Sequence, residues 1–162
     1  VFASEILHVG PQGLGILRAA PAAGAVLMGV YLAHRGPIER AGRAMFLAVA
    51  IFALAIIGFG LSRSFMLSVA LLAVSGMADN ISVVIRSTLL QLLTPPEMLG
   101  RVSAVNSVFI GSSNELGAFE SGVMARLVGT VPAVVIGGVA SLLVVGVVSR
   151  LVPPLRKLGR IT

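Results

Sequence analysis

The chain has 162 residues, 57% of them hydrophobic and 11% charged, with a mean hydropathy of +1.04. Soluble domains carry about 25% charged residues, so this composition excludes an ordinary soluble domain and points to a membrane protein. The net charge of +6 does not indicate a nucleic-acid partner, because the basic residues are scattered between apolar runs and are not interleaved with aromatics. The absence of cysteine excludes disulfides, thiolate metal sites and cysteine nucleophiles.

In chain order, Val1 to Leu7 is too short to cross a bilayer and reads as the end of a truncated helix. The chain begins without an initiator Met or a charged leader, so the expectation is a fragment that lacks its N-terminal part. A Gly- and Pro-containing loop follows over 8–13. The first complete span is expected at about 14–33, with Arg18 inside it, a kink at Pro21, and Gly24 and Gly29 allowing close helix approach. A basic loop leads to the second span, 44–61, which has no polar side chain. Ser62-Arg63-Ser64 reads as a tight turn before the third span, 65–92, which carries Asp79 near its centre.

A hinge follows at Thr94-Pro95-Pro96-Glu97-Met98-Leu99-Gly100-Arg101. Thr94 and Glu97 have capping-box spacing and Pro95 stands at a first helical position, which predicts that a helix restarts at once. The fourth span is expected at 102–128, with Glu115 near its centre, and the fifth at 132–152. Pro153-Pro154 ends it, and 153–162 is a basic tail. The fold expected is therefore an all-α membrane protein, a six-helix bundle when the truncated first helix is counted.

Five complete spans alternate sides, which sorts the loop charges. Arg35, Arg40, Arg43, Arg101, Arg150, Arg156, Lys157 and Arg160 fall on one side; Arg18, Arg63 and Arg126 fall on the other. Excess Lys and Arg marks the cytoplasmic side, so the C-terminus is expected to be cytoplasmic.

A charge in hydrocarbon is unfavourable by roughly 2.5 to 3.5 kcal/mol on insertion scales and is retained mainly where it faces protein or water. Asp79, Asn80 and Arg86 on the third span, and Asn106, Asn114, Glu115 and Glu120 on the fourth, are therefore the candidate functional residues. Asp79 and Arg86 share a helical face but are about 10 Å apart along the axis, too far to pair directly. Asn106, Ser113, Gly117 and Glu120 form a stripe, and Ser113, Gly117 and Ser121 form a small-residue series suited to tight packing. Glu115 points away from Asn106. Arg18 and Glu120 lie at similar depth and are a candidate ion pair, with a purely structural pair equally open. Arg86 snorkelling to the interface is the bland alternative for that residue, and a satisfied buried network is the bland alternative for the two midplane Asn-acid pairs. His8 and His34 fall in separate loops, so no metal site is expected on them. No cofactor is expected.

Certain segments resemble the C-terminal half of a major facilitator superfamily transporter, in the branch that includes the enterobactin exporter and the transmembrane secretion effectors. They are Leu14-Gly15-Ile16-Leu17-Arg18-Ala19-Ala20-Pro21, Val84-Ile85-Arg86-Ser87-Thr88-Leu89, Thr94-Pro95 with Glu97, and Gly100-Arg101-Val102-Ser103-Ala104-Val105-Asn106. Ser113-Asn114-Glu115-Leu116-Gly117 with Phe119-Glu120-Ser121-Gly122 completes the set. The chain departs from that pattern at Leu99, where relatives have Arg. It departs again at the loop from Leu32 to Arg43, where His34 stands in place of an Asp. The resemblance implies a twelve-helix transporter of the bacterial inner membrane that exports a hydrophobic or siderophore-like solute in exchange for protons by alternating access. Its partners would be the solute, protons, the lipid bilayer and the N-terminal half of the same transporter.

Proton exchange needs a carboxyl that is loaded on one side and unloaded on the other; Asp79, Glu115 and Glu120 are the candidates, and Arg86 and Arg18 are candidates to hold anionic groups. The competing expectation is a non-transporting membrane scaffold or receptor subunit whose polar residues only pack helices. An enzyme is not expected, because no nucleophile-base pair or metal-ligand spacing is present. The phosphate-binding loop of an ATP-driven pump is also missing from the sequence.

Overall fold

The computed structural model describes residues 9–35 and 41–151. The expected helix end at 1–7, the loop segment 36–40 with Arg40, and the tail 153–162 lie outside the described residues. Within them the order is α1 (Pro11–His34), α2 (Ala41–Leu61), α3 (Phe65–Leu93), a short 3₁₀ turn (Pro96–Met98), α4 (Leu99–Val128) and α5 (Thr130–Leu151). The described residues are all-α, with no strand among them. The five helices overlap the five expected spans closely.

Four of the helices, α1, α2, α3 and α5, are long and apolar enough to cross a membrane. Large apolar side chains such as Leu47, Leu54, Leu143 and Val144 face outward from α2 and α5, a surface suited to contact with lipid. These features make the chain an all-α membrane protein. Helix α4 covers the fourth expected span, the one that carries most of the polar candidates. It is the longest helix, at 30 residues, but it is not among the four apolar candidates. Asn106, Asn114, Glu115 and Glu120 along it lower its hydropathy.

Packing follows the small residues. Helix α1 lies against α3, α3 against α2, α2 against α5, and α5 against α4. At the α1–α3 crossing, Gly24 meets the carbonyl of Ala73 and Gly76 meets the carbonyl of Pro21, so a Cβ on either glycine would strike backbone. Helix α1 runs unbroken through Pro21. At the α2–α5 crossing a Cβ on Gly138 would lie 2.5 Å from Ile57 Cγ1, and one on Gly60 would lie 2.9 Å from Val134 Cγ1. Without a hydrophobic drive between helices in lipid, close approach of this kind supplies the contact energy. The expected small-residue packing on α4 does not form: a Cβ on Gly117 would meet nothing within 4 Å, and α4 buries no residue.

The connections are built locally. Between α2 and α3, Ser62 Oγ donates to the Ser64 carbonyl at 3.1 Å and accepts from the Ser64 amide at 3.3 Å. It also accepts from the fully buried Ser68 Oγ at 3.1 Å. That uses the one donor and both lone pairs of Ser62 and locks the expected turn.

Between α3 and α4, Thr94 and Pro95 are both extended (ψ 127° and 142°), because a residue preceding proline is held out of the helical region. The helix restarts through Pro96, not Pro95, and no side-chain cap forms at the 3₁₀ turn or at α4, so the expected Thr94–Glu97 capping box is absent. Two extended residues set α4 off from α3. Between α4 and α5, Gly129 has φ +91° and ψ 160°, a conformation essentially confined to glycine.

Candidate functional site

The buried face of α3 is a stripe of small residues, Ser68, Ser75, Gly76, Ala78 and Ser82, with the larger Ile85 at its end. Its next stripe, Asp79, Val83, Arg86 and Leu90 at spacings of four, three and four, is left uncovered by α1 and α2. That stripe faces Asn106, Phe109, Ile110, Ser113 and Asn114 of α4 across a cleft of about 550 Å³. Ser87 also lines it. The helices run in opposite directions from the Pro95-Pro96 turn. Asp79 and Ser113 are equally far from that turn along their helices, and so are Arg86 and Asn106. The cleft therefore has an acidic level, with Asp79, Ser113 and Asn114, and a basic level nearer the turn, with Arg86 and Asn106.

The two charges are not spent on each other. Arg86 Nε donates to the carbonyl of Ser82 at 3.4 Å, one turn back on its own helix. That anchors the guanidinium and leaves its two terminal nitrogens without a protein acceptor among the described residues. Asp79 and Arg86 are both exposed to the cleft, and no salt bridge joins them or any other described residues. The hydroxyls of Ser87 and Thr88 bond back to the carbonyls of Val83 and Val84, as such residues commonly do inside helices.

The cleft continues toward the turn as a groove lined by Leu90, Met98, Arg101, Val102, Val105, Asn106 and Phe109. Leu90, Asn106 and Phe109 are common to both. Arg101 thus adds a second cation at the end where Arg86 already stands.

The other sequence candidates lie elsewhere. Asn80 is turned toward α1: its Oδ1 is enclosed without a hydrogen-bond partner, 3.7 Å from where a Cβ on Gly29 would lie. Glu115 and Glu120 are exposed on α4 and do not line the cleft. Arg18 is exposed on α1, which packs against α3, whereas α4 packs against α5. Among the described residues Arg18 and Glu120 form no ion pair. His34 donates from Nδ1 to the Val30 carbonyl at 2.8 Å and closes the end of α1. The apolar cleft residues, Val83, Leu90, Phe109 and Ile110, were not singled out from sequence; their register with Asp79 and Asn106 is the signal that finds them.

Comparisons with known proteins add no relative. Neither the protein-family models, nor the curated proteins, nor the solved structures contain a match to this chain. The family resemblance rests on the quoted motifs alone.

Proposed function

We propose that the chain is part of a secondary active transporter that moves a small solute by alternating access, with the cleft between α3 and α4 as a solute site. The observation that carries this reading is the cleft itself. In a bundle of apolar, span-length helices, one pair of helices is held apart and lines the gap with charges of both signs that do not pair with each other and four neutral polar residues, Ser87, Asn106, Ser113 and Asn114. A scaffold gains nothing from such a gap, since open polar groups at membrane depth are tolerated only where they line protein or water. Transporter sites of this kind sit between helices near the midplane.

The finer reading follows the family resemblance: a major facilitator transporter of the bacterial inner membrane, exporting a hydrophobic or siderophore-like solute against protons, with the C-terminus cytoplasmic. In that reading Asp79 is the proton or solute carboxylate of the cleft, and Arg86 holds an anionic group. Glu115 and Glu120 serve a different face of α4, as additional proton-carrier candidates.

The test is flux in liposomes containing the full-length protein. Under an imposed proton gradient, ethidium and a catecholate siderophore are each expected to move faster than in protein-free liposomes, and Asp79→Asn is expected to abolish the gradient dependence. Flux equal to protein-free liposomes for both probes, with the protein folded, would favour the scaffold reading instead.

A further inference from the structure

The arrangement of charge in the cleft restricts what it can hold. Asp79 and Arg86 stand about 10 Å apart along α3, on one stripe, with Val83 between them. Leu90, Phe109 and Ile110 complete an apolar wall around them, and Phe109 is 72% exposed. Arg101 reinforces the basic end through the adjoining groove. Asn114 and Ser113 offer neutral hydrogen-bonding groups at the acidic end, and Asn106 does so at the basic end.

A solute with a single negative charge would satisfy Arg86 but leave Asp79 facing it unpaired. A single positive charge has the converse problem. A solute that matches both charges makes charge-assisted hydrogen bonds, the strong ones, at both ends, whereas a singly charged solute makes them at one end only. A headgroup whose two charges are adjacent reaches one end only.

We infer that the cleft selects an elongated zwitterion, with its anionic group at Arg86 on the Arg101 side, its ammonium at Asp79, and an aliphatic or aromatic segment between them on Val83, Leu90, Phe109 and Ile110. The inference rests on the reading of this cleft as a solute site and replaces the hydrophobic or siderophore-like solute of the family resemblance with a different chemical class. Discrimination comes from both ends together: each wrong solute leaves one of the two cleft charges without a partner, whereas the matched one engages both.

The experiment is calorimetric titration of the full-length protein in phosphatidylglycerol nanodiscs, so that no lipid headgroup carries both charges, with empty nanodiscs subtracted. The probes are ω-aminocaprylate, octanoate and octylamine, which share one chain length and differ only in their ends. The zwitterion is expected to bind at least about tenfold tighter than either singly charged probe. Asp79→Asn is expected to remove its advantage over octanoate while octanoate binding survives, which also reports that the variant is folded. Asp79→Glu, which keeps the carboxylate, is expected to retain the preference. Arg86→Gln is expected to remove the advantage over octylamine.

Octanoate binding as tightly as the zwitterion, a preference unchanged in Asp79→Asn, or no binding of the zwitterion to the native protein would each overturn the inference. The transport reading is separable. The binding pattern without any flux in liposomes would leave this inference standing and remove transport. Flux of the dye or siderophore with no binding of ω-aminocaprylate would do the reverse.

Discussion

Asp79 and Arg86 lie on the same stripe of α3 and open into the same cleft, yet they do not pair. Both side chains are exposed to the cleft and not packed into the helix contacts, so their removal should affect solute handling more than folding. Asp79→Asn and Arg86→Gln are each expected to lower flux about tenfold or more. Stability should change by no more than about 0.5 kcal/mol, the usual range for substitutions away from packed features. Parallel measurement of liposome flux and of the denaturation midpoint in nanodiscs checks both halves; a large drop in stability would mean that the charges hold the helices.

Gly24 and Gly76 set the α1–α3 crossing by reciprocal contact with backbone carbonyls of the other helix. Backbone cannot swing aside as a side-chain tip can. Gly76→Val is therefore expected to destabilise the fold by about 1–3 kcal/mol or more, as overpacking does. Gly111→Ala, where a Cβ would meet nothing within 4 Å, is expected to be close to neutral. Unfolding in mixed micelles distinguishes the two.

Ser68 is fully buried and its hydroxyl donates to Ser62 Oγ. Ser68→Ala should cost about 1 kcal/mol, the typical net worth of one hydrogen bond. The double variant with Ser62→Ala should lose less than the sum of the single losses, since the two share one network. Strict additivity in a double-mutant cycle would show that the network contributes nothing.

Arg18 and Glu120 sit on helices that pack against different neighbours. A cycle of Arg18→Gln and Glu120→Gln is expected to show coupling below about 0.5 kcal/mol, the level found for independent sites. Recovery of function by the double variant would instead support the ion pair considered from the sequence.

Arg63 is exposed in the turn before α3, and Arg101 is exposed near the start of α4 beyond its far end. The 29 residues of α3 place these two ends about 43 Å apart. Because the chain contains no cysteine, Arg63→Cys and Arg101→Cys can be labelled singly. A membrane-impermeant maleimide is expected to reach the Arg63 position in intact cells and the Arg101 position only after permeabilisation, from the loop-charge asymmetry. Equal labelling of both in intact cells would overturn the topology.

Much of this molecule was legible along the chain. Pro95-Pro96 marks a helix end because proline acts on its own backbone, and Ser62-Arg63-Ser64 marks another through hydrogen bonds within the turn; the start of α1 falls at Pro11, inside the expected loop 8–13. The shared face of Asp79 and Arg86 and the shared face of Asn106 and Ser113 follow from helical period alone. So does the turning of Glu115 away from Asn106. The missing capping box shows the limit even of local reading: Thr94 and Glu97 have the right spacing, but Pro96 after Pro95 keeps the chain extended for one residue longer.

What the period cannot say is which face meets which helix. That Asn80 turns to Gly29 while Asp79, one residue earlier, opens to α4 was decided by the seating of α1 on the Gly76 side of α3. The glycines of α4 resemble packing residues in sequence, yet α4 is held off α3 and buries nothing. The sequence by itself determined the helices, their ends and the stripes of polar residues, since these depend on torsions and spacing within a few turns. Only the tertiary structure decided that two of those stripes face each other across an open cleft, because helix pairing is settled by close contacts between residues far apart in the chain, here Gly24 with Ala73, Gly76 with Pro21 and Gly138 with Ile57.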